Sequence, residues 1–151
     1  MKQNLRMAGI VLLLAALVLA SCKKKTDDSP RAKLTGKWKV IETADDFNNN
    51  SVMDPSEIQL IPDSFAFYVT FSADGTANIS QTISGLTQTA TFTWELINNN
   101  ADLKTIQTSG STVGYESTAH IESLSGSDLI VKSTDTASGV PAISWSILKK
   151  Q

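Results

Sequence analysis

Twelve consecutive residues place oxygen donors where a calcium loop needs them: Asp46-Phe47-Asn48-Asn49-Asn50-Ser51-Val52-Met53-Asp54-Pro55-Ser56-Glu57. With Asp46 at the first position, Asn48 and Asn50 take the third and fifth. The Val52 carbonyl would be the seventh ligand, Asp54 the ninth and Glu57 the bidentate twelfth. Oxygen-only ligands on alternate residues suit a hard cation, so the loop reads as a structural calcium site of modest affinity, on the order of 10⁻⁴ to 10⁻³ M. The sixth position is Ser51 where the turn asks for Gly, a left-handed backbone cost of about 1 kcal/mol. Asn49 or Asn50 can carry part of that conformation, and Met53 puts an apolar side chain at the eighth position. No helix-like segment flanks the loop, so it would lie between strands. The same Asn and Asp content also makes an ordinary turn-rich surface loop, and both readings stay open.

Other reactive groups are few. His120 is the only histidine, and strand alternation turns it outward beside Glu116 and Glu122. One histidine and one cysteine do not make a zinc site. No Gly-rich phosphate cradle opens a helix, and the many serines include no nucleophile-elbow pattern. No carboxylate sits in an apolar stretch that would raise its pKa. The expectation is a domain without catalytic residues.

The single cysteine belongs to a different chemistry. Lys2 and Arg6 precede an apolar run from Met7 to Ala20, fourteen residues long, which ends in Leu19-Ala20-Ser21-Cys22. A basic front, a short apolar core and small residues before the cut form a secretory signal, and the run is shorter than the roughly 20 residues of a spanning helix. Leu-Ala-Ser-Cys resembles the bacterial lipobox, which implies cleavage after Ser21 and a fatty-acylated (palmitate-type) Cys22 as the mature N-terminus. The expected location is the cell envelope, lipid-anchored to the outer membrane on its periplasmic or outer face. With Cys22 committed to lipid, the mature chain has no thiol left for a disulfide framework.

Cleavage leaves 11 basic and 15 acidic residues, and the part from Lys33 onward has 7 against 13. A domain that acidic repels phosphate backbones, which argues against nucleic acid. Lys23, Lys24 and Lys25 with Asp27, Asp28 and Ser29-Pro30 lack apolar residues, so 22–32 reads as a tether. Residues 1–21 are then the signal peptide and 33–151 the folded domain.

The domain reads as all-β. Phe65, Phe67, Val69 and Phe71 alternate with Ala66, Tyr68 and Thr70, the period of a half-buried strand. Phe92, Trp94 and Leu96 repeat the pattern, as do Ala119 with Ile121 and Ile143 with Trp145 and Ile147. Ser72-Ala73-Asp74-Gly75 and Asn98-Asn99-Asn100 are turns. About eight strands at spacings near ten residues suggest an antiparallel barrel or sandwich. Phe65, Phe67, Phe71, Phe92, Trp94 and Trp145 are the expected core.

Gly36-Lys37-Trp38, opening the first strand, is similar to the Gly-X-Trp signature of lipocalins. With Phe71-Ser72-Ala73-Asp74-Gly75-Thr76, Thr93-Trp94-Glu95-Leu96 and Leu129-Ile130-Val131-Lys132-Ser133-Thr134, the domain resembles small lipocalin-like lipoproteins of the Bacteroidota. The resemblance implies an antiparallel β-barrel and a non-enzymatic module for a small apolar or amphipathic ligand. It departs where lipocalins usually place an Arg against the first-strand Trp, since only Lys149 and Lys150 are available here. The alternative is a filled barrel that contacts an envelope protein or a glycan, ordered by calcium. An enzyme with a carboxylate cleft or His120 is the third reading.

Overall fold

Period-two alternation runs through nearly the whole described chain, and the chain pairs accordingly. The computed structural model describes residues 27–136 and 141–151, so the apolar run, Cys22 and Lys23 to Lys25 lie outside the described residues. A short helix α1 (Pro30–Leu34) leads into strands β1 (Gly36–Asp45), β2 (Ile58–Leu60), β3 (Phe65–Phe71), β4 (Thr76–Ile83) and β5 (Leu86–Ile97). Strands β6 (Asp102–Gln107), β7 (Glu116–Leu124), β8 (Asp128–Asp135) and β9 (Ala142–Lys150) follow. From β3 to β9 each strand pairs antiparallel with its sequence neighbour. Strand β1 pairs with both β3 and β9, which closes eight strands into a barrel. The short β2 is a ninth strand laid against the end of β1. Closure leaves the short β2 as the sheet's free edge among the described residues.

Turn chemistry sits where the sequence puts it. Asp74 accepts from the Thr76 amide at 2.9 Å and its hydroxyl at 2.7 Å, and Gly75 takes φ +90°. Asn98, Asn99 and Asn100 all hold left-handed φ, at 50°, 57° and 66°, a region that Asn tolerates better than other non-glycine residues. Inside the barrel large faces small: Ala77 lies between Phe71 and Phe92 in register.

One end of the barrel is plugged. Ser29 caps α1 through its hydroxyl on the Ala32 amide, and Pro30 occupies the first turn. Leu34 and Trp38 are 0% exposed, and the Trp38 indole N–H donates to the Leu34 carbonyl at 2.7 Å. Gly36, at φ +132°, makes the bend between them, in a region open to glycine alone. Lys150 reaches over the Trp38 ring at 5.2 Å and donates to the Lys33 carbonyl at 2.7 Å. The place expected for a lipocalin Arg is thus filled by this lysine. Trp94 closes the other half of the end: its indole N–H is shared between the carbonyls of Ser72 and Thr76, and Phe71 meets it edge-on at 5.5 Å.

Arg31, read from sequence as tether, stacks over Trp94 at 4.5 Å and donates to the Ala73 carbonyl at 3.0 Å. The capped single turn sets Arg31 and Leu34 against the end of the barrel.

Trp145 also differs from expectation. It is buried, but on the outer wall of the barrel rather than inside it. A bulge in β1 between Val40 and Glu42 shifts the phase, so Ala44 faces outward opposite Trp145. On β9 the inward residues are Ser146 and Leu148. The Asp46–Glu57 loop folds down and covers the indole instead.

Candidate functional site

Above the plug the barrel is hollow. A cavity of about 230 Å³ lies among Phe67, Val69, Phe71, Ile79, Phe92, Leu103, Leu129 and Val131. Aromatic side chains come from β3 and β5, and aliphatic ones from β1, β3, β4, β6, β8 and β9. Three hydroxyls share the wall, those of Thr105, Ser133 and Ser146, and no charged side chain lines it. At the open end Gln107 is buried and fully engaged: its amide donates to the Ser109 carbonyl at 2.8 Å and accepts from the Thr112 hydroxyl at 2.6 Å. That pair pins the β6–β7 loop to the rim. An apolar chamber with a few polar groups is the usual form of a small-molecule site.

The sequence pointed to the Phe residues but not to the hydroxyls. Ser133 shares its face with Leu129 and Val131, a parity legible in the chain. Ser146 was hidden because Trp145, one residue away, looked like the core position.

The second site is the loop. Asp46 caps two backbone amides, those of Asn50 at 3.0 Å and Ser51 at 2.8 Å. The side-chain amides of Asn48 and Asn50 both donate to Asp54, at 2.8 and 2.9 Å. Val52 gives its amide to the Asn50 side chain at 2.7 Å. Asp46, Asn48, Asn50 and Asp54 are thus drawn together, and Ser51 adopts the left-handed turn at the sixth position, with φ 62°. Asn49 shares the strain at φ 58°.

Glu57 takes a different direction. It is 4% exposed, and its two oxygens accept the amides of Phe47 at 3.0 Å and Asp54 at 3.2 Å. Its carboxylate therefore closes the loop by itself, and among the described residues no three His, Cys, Asp or Glu side chains converge as a metal-holding group. The closed loop lies on Trp145, which is 3% exposed and flanked by Val52, Met53 and Ile130. Lys132 fastens it: the ammonium donates to the Ser51 carbonyl at 3.1 Å and lies 5.2 Å over the Trp145 ring.

His120 points outward, as alternation required, and its Nδ1 meets Asp102 at 2.7 Å. The Asn98 side-chain amide and His120 together hold the Asp102 carboxyl below the usual range. The pair is on the outer wall, apart from the cavity-lining residues.

No family model and no curated protein matches this sequence. Solved structures do match. A lipocalin-like protein from Bacteroides uniformis aligns at TM-score 0.54 and 16% identity, covering 79% of this chain and 99% of that one. An uncharacterized protein from Bacteroides eggerthii gives 0.51 at 14%, over 78% and 99%. Lipocalin 12 from rat epididymis gives 0.52 at 14%, over 83% and 70%. The fold is lipocalin-like.

The clasp gives a direct expectation. Glu57→Ala removes a buried carboxylate from two backbone donors and should destabilise the fold by about 2 kcal/mol. It should also uncover Trp145, read as a red shift of tryptophan emission and easier quenching by iodide. Unchanged stability and emission would contradict the clasp.

Proposed function

We propose that the protein is an exported, lipid-anchored envelope module that holds a small apolar or amphipathic ligand inside its barrel. The cavity carries this reading: it is apolar, uncharged and framed by rigid strands. An apolar cavity of about 150 Å³ takes benzene, so by proportion about 230 Å³ takes roughly nine non-hydrogen atoms. Burying about 200 Å² of apolar ligand surface contributes roughly 5 kcal/mol. That corresponds to a Kd on the order of 0.1 mM.

Anchoring at Cys22 would orient the module. The described chain enters at the plugged end, where α1 sits. Residues 23–28 reach at most about 20 Å, so a lipid on Cys22 would hold the plug toward the bilayer. The open end, with Phe47, Leu86 and Tyr115 exposed on its loops and strand ends, would face away. Those same side chains favour the second reading, a domain that meets an envelope protein through its open end.

Toluene separates the two. At several millimolar it should raise the melting temperature by several degrees, since a ligand bound only by the folded state stabilises it. The Ala77→Leu variant, whose three added carbons take up about a third of the chamber, should weaken the effect. No rise in the wild type would favour the filled interaction domain.

For the loop we propose a structural calcium ion held by Asp46, Asn48, Asn50, the Val52 carbonyl, Asp54 and Glu57. The left-handed Ser51 and the gathered Asp46, Asn48, Asn50 and Asp54 support it. Binding would require Asp54 to exchange its two Asn donors for the ion and Glu57 to release a backbone amide. Millimolar calcium should then raise the melting temperature of the wild type and leave Asp46→Ala unmoved. A wild type indifferent to calcium would mark the loop as self-closed.

A further inference from the structure

The chamber is not uniformly apolar, and its polarity is one-sided. Phe67, Phe71 and Phe92 stand on β3 and β5, whereas Thr105, Ser133 and Ser146 stand on β6, β8 and β9, set among aliphatic side chains of those strands. The register brings the two serines near one another on paired strands: Ser133 lies opposite Ser144 and Ser146 opposite Val131. Among the described residues none of the three hydroxyls is hydrogen-bonded to a protein group, and none is sealed off from the chamber.

Each hydroxyl offers one donor and two acceptor positions. A purely apolar ligand would strip their water and return nothing, which is costly for a buried polar group. A carboxylate or ammonium would fare worse. No Lys, Arg, His, Asp or Glu lines the chamber to balance it, and an unpaired charge in such surroundings is strongly disfavoured. Only an uncharged ligand with one hydrogen-bonding end satisfies both halves of the wall.

We infer that the chamber selects an uncharged amphipath of roughly nine non-hydrogen atoms, such as an alcohol, aldehyde or ketone. Its polar end sits at Thr105, Ser133 and Ser146 and its apolar body against the Phe side, and acids of the same size are rejected. The inference rests on the reading of the chamber as a ligand site and adds the ligand's chemical class to it.

Titration calorimetry of the full chain with toluene, benzyl alcohol and benzoate at pH 8 tests it. Benzyl alcohol should bind at least as tightly as toluene, and benzoate at least about thirtyfold more weakly than benzyl alcohol. In the triple variant Thr105→Val, Ser133→Ala, Ser146→Ala, benzyl alcohol should lose about tenfold, the worth of one hydrogen bond, while toluene, spared the cost of stripping the hydroxyls, binds at least as tightly as to the wild type. Benzoate within threefold of benzyl alcohol overturns the inference and leaves the ligand site standing. So does benzyl alcohol binding that survives in a folded triple variant. Failure of toluene and benzyl alcohol alike overturns both. The wild-type ratios decide the matter even if the triple variant does not fold.

Discussion

The hydrogen bond from the Trp38 indole to the Leu34 carbonyl is the contact on which the interior depends. A five-residue helix has no stability of its own, and its last carbonyls have no partner within it. Trp38 supplies one of those partners and roofs the helix with its ring, while Gly36 makes the tight bend that lets both occur. Lys150, from the last strand, reaches the same ring and the Lys33 carbonyl. First strand, last strand and entry helix are thereby tied at one point, which is also the seam where the barrel closes. Truncating a buried Trp of this kind costs roughly 3–5 kcal/mol; here it would also open the chamber at its floor.

The plug divides the barrel into unequal halves. Indole rings and leucines fill the closed end, with each indole N–H satisfied by backbone carbonyls. Toward the open end polar side chains join the wall, with Ser133, Ser146 and Thr105 along it and Gln107 at the rim. Side chains that do not meet across the axis leave a chamber, and a barrel of eight strands is just wide enough for that outcome. The exposed Asp102–His120 pair and the loop on Trp145 lie on the outer surface. The interior is therefore the part of the protein suited to a small molecule.

Much of this was legible in the chain. The alternation of Phe65 to Phe71, the Asn98–Asn100 turn and the Gly36-Lys37-Trp38 opening each name their structural role. What was not legible depends on events distant in sequence. The β1 bulge turns Ala44 outward, and nothing in Ile41-Glu42-Thr43 announces it. Trp145 looks like core because it is core, but to a layer formed when the loop folds over the wall. That loop's spacing was readable, whereas the inward turn of Glu57 follows from the proximity of the Phe47 and Asp54 amides. Helix α1 is too short for periodicity, and Ser29 and Pro30, its cap and first-turn residue, read in the sequence as part of the tether.

The central claim is that the plugged barrel encloses a chamber that a small apolar body can occupy. Xenon tests this with no assumption about the natural ligand, since empty apolar cavities take it up. Crystals of the protein under xenon pressure should show the atom among Phe67, Phe92 and Leu129. Side chains collapsed across the barrel, with no xenon between them, would contradict the account.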